Sequence, residues 1–483
     1  MNFSLVMLLS FSVTNFRSFR EEQTLSLVAS NRQANHPEHL IPIPEDENQA
    51  LPVAAIYGAN GAGKSNLVRA MGFLIELVTI GTSPKQPTGR VPFLFHKATA
   101  ATPTRFSLQF VEKGYVFAFG VALDDTTIRE EWLSVVRNGK EIPIYERITD
   151  EVGKVRVEAG TVLQEDSWGN HAKVVALSRV GVLPNLLFLH GISQSLTEED
   201  QGPVMAAALQ WFSARPVIVQ LQSFHGGLIG LIASNREFAG FAGDFLRRVA
   251  TGVHALRVDS SELSGNALDA MPDNIRVRIA EMKEGEIAGF ASAVDSSHQI
   301  VIEKGVGDKV FVRTVKAEHM TSDGDSVQLP LAEESDGTRR ITQLLPALHS
   351  INRGPKIYII DEIDRSLHPL LSKGFVREFL RTCVSSGSQL IFTTHDTTFL
   401  DLDLLRRDEI WFANKRMPEA FTELYSLSDY KVRTDLRVDK AYLQGRFEAI
   451  PPIENELPGW VTKIMTDLRP GDAPQPREEE VGA

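Results

Sequence analysis

Residues 58–65 read GANGAGKS, a match to G-x-x-x-x-G-K-[ST], set between an apolar run and an amphipathic stretch. Few local patterns constrain a fold so tightly. The motif demands a buried strand, a glycine-rich turn and a helix in immediate succession. Only then do backbone N–H groups converge on an anion at a helix N-terminus. The backbone of Asn60, Gly61, Ala62 and Gly63 would cradle a β-phosphate, and Lys64 would reach the β- and γ-phosphates. Ser65 would ligate Mg²⁺, and Asn66 follows it in the first helical turn. The expected ligand is a nucleotide, ATP, with Mg²⁺ as its ion.

The 483 residues are 43% hydrophobic, enough to bury one or two large cores. The single cysteine, Cys383, excludes a disulfide framework and a cysteine-built zinc site. The opening MNFSLVMLLSFSV is apolar but too short to span a bilayer, and it lacks a basic leader region and a cleavage site. No later stretch supplies a long uninterrupted apolar run. The expectation is a soluble cytoplasmic protein with no membrane partner. A net charge of −12 disfavours broad nonspecific binding to nucleic acid, although a local basic groove would still permit it.

Periodicity orders the chain. Strands are expected at 8–19 and 24–30, a polar loop at 31–50, and a strand meander over 104–142 with turns at EKG, DD and RNGKE. Residues 195–250 read as helical, with an interruption at Pro216. Alternation returns over 253–315, in IRVRIAEM, QIVIEK and KVFVRTV. A helix (336–351), a buried strand (356–361), a helix (366–384) and a strand (388–396) follow. The expected division is an N-terminal half (1–145), an inserted helical and β region (146–330), a C-terminal half (331–465) and a disordered acidic tail (466–483).

KIYIIDEIDRSLHP places two acids at the end of an apolar strand. Asp361 would hold Mg²⁺ through water, and Glu362 would act as general base toward the attacking water. The plainer alternative has both acids opening a loop and capping the next helix. LIFTTHD repeats the geometry one strand later, where His395 would hydrogen-bond a γ-phosphate or serve a structural role. Asp364, Asp401 and Asp403 read as solvated or capping residues.

ESDGTRRITQLL opens the helix before the acidic strand, and Ser335 there fits an ordinary N-cap. The order FSVTNFRSF, YGANGAGKSN, ESDGTRR, YIIDEIDRSLHP, FTTHD nevertheless resembles the ATP-binding cassette ATPases related to SMC, RecF and OLD proteins. It is most similar to AAA-type ATPases of bacterial anti-phage modules, such as the AriA subunit of PARIS and RloB-associated ATPases. DLRVDKAYLQGRFEAIP (435–451) also looks like that subgroup, whereas the middle, roughly 145–330, matches nothing specific. The implied fold is α/β, a P-loop NTPase of ABC (SMC/RecF-like) head type, with a mixed central sheet, an antiparallel β subdomain and an inserted helical region.

The resemblance implies roles by position. Asn15 and Arg17 would lie near the nucleotide base or ribose. Ser335 and Gly337 would cap the γ-phosphate of a second subunit's nucleotide, and SLHP (366–369) would touch the partner's site. A homodimer or higher homo-oligomer is therefore implied. The chain departs from the pattern in lacking the second signature glycine, a zinc-hook cysteine pair and heptads for coiled-coil arms. The glutamine loop has no clear place; Gln109 is a candidate, on a strand that gives it no geometric support. Two functions fit. One is an ATPase that regulates a protein effector, a nuclease encoded nearby, in anti-phage defence. The other is a RecF-like repair or recombination ATPase that clamps DNA, for which 430–446 would supply basic residues. A transporter subunit fits less well, because those lack the NFRSF strand.

Overall fold

Parallel strands covered on both faces read as unbroken apolar runs, and three such runs of this chain lie side by side. The computed structural model describes residues 5–449 except 32, 221–225, 264, 292–298, 350–353 and 431–436. Its central sheet has six strands, in the order Pro216–Val219, Ile357–Ile360, Gln389–Thr394, Val53–Tyr57, Ile410–Arg416, Phe421–Ser426. The first five are parallel and the last is antiparallel to its neighbour.

The strands Val53–Tyr57, Ile357–Ile360 and Gln389–Thr394 are buried along their whole length. Successive side chains take opposite faces. Ala54 and Ile56 join a core with Leu67, Val68 and Met71 of the helix Lys64–Thr79. Val53, Ala55 and Tyr57 join a second core with Ile341 and Leu344 of the helix Asp336–His349. A seven-stranded antiparallel sheet closes over the first core, in the order Val155–Ala159, Lys140–Thr149, Ile128–Arg137, Tyr115–Leu123, Thr104–Glu112, Met7–Thr14, Gln23–Ser26. This is the expected P-loop NTPase architecture, mixed sheet and antiparallel subdomain together.

Four expectations need correction. The first strand stops at Thr14, and Asn15–Phe19 forms a tight turn in which Phe16 and Phe19 pair. Asn15 and Arg17 take left-handed φ values of 50° and 52°, which no strand accommodates. IRVRIAEM is not a strand but lies in the helix Asp273–Glu281 and its C-cap. Ile275, Ile279 and Met282 recur at helical spacing and pack in one small cluster. Pro216 does not merely interrupt helices, since it opens the edge strand of the central sheet, where a missing N–H is tolerated. The boundary at 145/146 cuts the strand Lys140–Thr149, and residues up to Val219 build the head itself.

What is inserted is a five-stranded sheet built by Ala255–Glu262, Val310–Met320, Gln299–Lys304, Ile287–Ala291 and Ser326–Pro330. The expected disordered tail (466–483) and most of the last stretch before it lie outside the described residues.

Candidate nucleotide-binding site

The strand Val53–Tyr57 delivers Gly58, and the helix begins at Lys64, so residues 58–63 form the turn between them. Two glycines are sterically enforced. A Cβ on Gly63, at φ 108°, would sit 2.0 Å from Thr422 Oγ1 and 2.8 Å from Ser18 Oγ. One on Gly58 would sit 2.3 Å from the Ala413 carbonyl oxygen. At Gly61 a Cβ would meet only open space, so the turn is backed by protein on one side and open on the other. The helix N-terminus carries no side-chain cap, which leaves its first N–H groups to an anion.

Lys64 is 5% exposed, and its ammonium donates to the Gly58 oxygen at 2.7 Å and the Ala59 oxygen at 3.1 Å. It also donates to His395 Nδ1 at 3.3 Å. Burial lowers its pKa to about 8, against the opposing pull of Glu362, Asp361 and Asp364. Ser65 and Asn66 occupy the first turn, half-buried. Asn66 donates to Ser18 Oγ at 2.9 Å, and Thr422 Oγ1 donates to the same oxygen at 2.8 Å. The turn Asn15–Phe19 is thereby tied to the phosphate loop.

The strand Ile357–Ile360 ends on buried Asp361, and Glu362 follows with a left-handed φ of 47°. Such a backbone persists in a non-glycine residue only where its surroundings hold it. Thr393, on the neighbouring strand, does so: its hydroxyl accepts from Glu362 N at 2.7 Å and donates to Asp361 Oδ1 at 2.6 Å. Arg340 adds a second hold, donating from one nitrogen to the carbonyls of Asp361 and Glu362 at 2.7 and 2.8 Å. Burial lowers the Arg340 pKa to about 10, which still leaves it charged at neutral pH.

His395 ends the strand Gln389–Thr394 and lies between the two charged groups. Its Nδ1 accepts a hydrogen bond from the Lys64 ammonium, so Nε2 carries the ring hydrogen, and Nε2 lies 4.0 Å from Glu362 Oε1. Burial lowers the His395 pKa, helped by Lys64 and opposed by Asp364 and Glu362, so the ring is neutral near pH 7. Asp364 Oδ2 accepts from His395 N at 3.4 Å.

Ser335 and Gly337 stand at the start of the helix Asp336–His349, and within this chain both have local partners. Ser335 Oγ accepts from Thr338 N at 3.1 Å, which is the N-cap. A Cβ on Gly337 would lie 2.8 Å from the Ser366 carbonyl oxygen, so this glycine lets the SLHP turn pack close. Ser366, His368 and Pro369 are exposed.

Within this chain the Asn15 side chain serves the scaffold. Its side chain is fully buried: the amide donates to the carbonyls of Thr99 and Thr102 at 2.7 Å each, and the oxygen accepts from Phe93 N at 2.9 Å. Arg17 is different. It lies close enough to Arg69 for mutual repulsion to lower its pKa, after burial as the larger cause, and its Nε is buried without a partner. Gln109 sits in the antiparallel sheet opposite Ser10 and Ala118, away from the loop.

Sequence reasoning missed Gln220. It follows the edge strand beside Asp361, whose N–H donates to the Val219 carbonyl at 3.0 Å, and so lies at the same end of the sheet as Lys64 and His395. The signal was the apolar PVIV before it, hidden inside a stretch read as helical.

The residues fit a Mg–nucleotide. An uncapped helix N-terminus, a loop that excludes side chains and a buried ammonium meet phosphates, and Ser65 with Asp361 would supply hard oxygen ligands for Mg²⁺. A family model described as "AAA domain, putative AbiEii toxin, Type IV TA system" matches residues 53–159 and 240–401, more than half of the chain. The chain belongs to that family. This AAA-family protein thus carries an ATP-type P-loop site, with the family's two matched segments holding the phosphate loop and the acidic strand.

No curated protein matches this AAA-family chain. Solved structures similar to it include the SMC head domain from Thermotoga maritima, 13% identical, with 87% of this chain and 98% of that one covered and a TM-score of 0.34. An SMC head bound to the C-terminal winged-helix domain of ScpA is 13% identical, covering 87% and 97%, at 0.34. An SMC head with an extended coiled coil, bound to the ScpA C-terminal domain and derived from Pyrococcus furiosus, is 12% identical, covering 92% and 99%, at 0.33. Similarity this loose says nothing about function. Among the described residues, no helix is long and apolar enough to cross a membrane.

Proposed function

We propose that this protein hydrolyses ATP in sites shared by two head-to-tail copies, and that ATP-driven assembly regulates a separate protein effector, a nuclease, in anti-phage defence. The observation that carries the hydrolytic part is the placement of His395, 3.3 Å from the Lys64 ammonium and 4.0 Å from the Glu362 carboxylate. A cation for the phosphates, a base for water and a neutral hydrogen-bond donor meet at one sheet end.

In this reading Lys64 binds the β- and γ-phosphates and the loop N–H groups hold the rest of the chain of phosphates. Ser65 and Asp361 would hold Mg²⁺, which when bound would supply positive charge against the phosphates. Glu362 takes a proton from water as the water oxygen bonds to the γ-phosphorus and the bond to the β–γ bridging oxygen breaks. The Nε2–H of His395 donates to the transferred phosphoryl group. Ser335 and Gly337 serve the opposite copy's nucleotide, and the exposed SLHP turn meets that copy.

The family's description, which names a putative AbiEii toxin and a type IV toxin–antitoxin system, supports a defence setting, and the acidic net charge of −12 favours a protein partner over DNA. The test is Glu362→Gln with Mg-ATP. Phosphate release should fall at least about a hundredfold with ATP still bound, and a tagged variant should retain a nuclease from its native host. Undiminished turnover would remove Glu362 as the base. Recovery of DNA without a stoichiometric protein would favour a clamp on DNA.

A further inference from the structure

Residues 30, 31 and 33–39 belong to a strap from the N-terminal half, lying on the segment that follows His395. Ser30 N donates to Asp408 Oδ2 at 2.8 Å, and Arg406 Nη1 donates to the Asn35 carbonyl at 2.6 Å. On this strap His36, Glu38 and His39 bring one ligand atom each within 4.8 Å of one another. None of the three belongs to the nucleotide site.

The partners of His36 do not add up for a neutral ring. Nε2 lies 2.8 Å from the Leu402 carbonyl oxygen, which can only accept, so Nε2 must carry hydrogen. Nδ1 then presents a lone pair, yet it lies 2.9 Å from the Glu38 carboxylate, another acceptor. Two acceptors on one neutral imidazole leave one contact repulsive. A cation between Nδ1 and Glu38 removes the conflict, and that cation is either a proton or a metal ion.

His39 tips the choice toward metal. Its Nδ1 is 2.9 Å from Oε1 of Glu409, a fully buried carboxylate that fixes the ring and leaves the other nitrogen for an ion. A carboxylate behind a histidine, and a carbonyl behind another, are the outer partners that metal-binding imidazoles use. The two rings are stacked, 4.9 Å apart between centroids and 18° from parallel, so seating one ion on both in-plane lone pairs requires a ring rotation.

We propose that His36, Glu38 and His39 bind a Zn²⁺ ion, which clamps the N-terminal strap to the segment 402–409. Two imidazoles and one carboxylate suit Zn²⁺ better than Mg²⁺ or Ca²⁺, and three protein ligands leave a fourth position for water. Leu402 follows His395 by seven residues, so the ion braces the chain that leaves the strand Gln389–Thr394.

The test uses the full chain without a histidine tag, stripped with chelator and titrated with ZnCl₂ in excess Mg²⁺. The excess Mg²⁺ keeps the phosphate-loop site occupied. One equivalent of Zn²⁺ should bind and raise the melting temperature, and CoCl₂ should give the visible absorption of a four-coordinate ion. Glu38→Gln alters an exposed side chain, and His36→Asn keeps a residue that tolerates the left-handed φ of 51°. Each should weaken binding at least tenfold. Equal Zn²⁺ affinity in either variant, or no saturable binding to the parent, would overturn the site and leave a protonated His36–Glu38 ion pair.

Discussion

Thr393 Oγ1 donates to Asp361 Oδ1 at 2.6 Å while accepting from the N–H of Glu362. One hydroxyl thus sets both acids of the site, and no apolar side chain of its shape can replace it. Thr393→Val should leave a buried carboxylate oxygen and a buried N–H unpaired, costing about 1–3 kcal/mol in denaturant unfolding. Phosphate release should fall with it, and Thr393→Ser should restore both. An unchanged valine variant would mean that the strained φ of Glu362 is held by other means.

Arg340 couples the signature helix to the acidic turn of its own chain through the Asp361 and Glu362 carbonyls. A lysine cannot reproduce a planar donor shared between two carbonyls. Arg340→Lys should therefore lower kcat by roughly tenfold or more while ATP affinity changes little, because a small displacement of the base is costly. Equal losses in affinity and turnover would point instead to general unfolding of the site.

The depressed Lys64 pKa has a measurable sign. With a value of about 8 before nucleotide binds, the ammonium is charged below that pH and neutral above it. Phosphates favour the charged form, so ATP binding should take up protons, roughly half a proton per nucleotide near pH 8. Affinity should be full at pH 7 and weaken as pH rises past 8. Calorimetry in two buffers of different ionisation enthalpy reads the uptake; none at pH 8 would contradict the buried-lysine reading.

Asn15 illustrates what the sequence could and could not reveal. Its position in FSVTNFRSF marked it as important, but not whether its amide met a ligand or its own chain. Only the fold brings Phe93, Thr99 and Thr102 around it. Asn15→Ala should lower stability by about 1–3 kcal/mol and leave the ATP dissociation constant unchanged in the folded fraction. A large affinity loss without destabilisation would return Asn15 to the ligand.

Local order was legible wherever one residue set carried its own signal. GANGAGKS needs its strand and helix, and the apolar runs ending in Asp361 and His395 read as strands. The rest depended on distant pairing. Gln220 became visible only when PVIV paired beside Ile357–Ile360, across about 140 residues of chain. IRVRIAEM alternates in sequence, yet buried Ile279 and Met282 and half-buried Ile275 also fit a helix, and tertiary packing decided between the periods. Arg340 read as one of two arginines in a first turn, and nothing local distinguished it from Arg339, which pairs with Asp336.

The shared-site claim is tested most directly by mixing two inactive proteins. Lys64→Ala removes the phosphate lysine and Ser335→Arg blocks the signature, so each alone should be inactive toward ATP. Mixed head-to-tail dimers hold one intact site made of Lys64 from one copy and Ser335 from the other. An equimolar mixture should then recover roughly a quarter of parental phosphate release, half the dimers being mixed and half their sites intact. Recovery of none, with both variants folded and co-assembled, would contradict a site built across two copies.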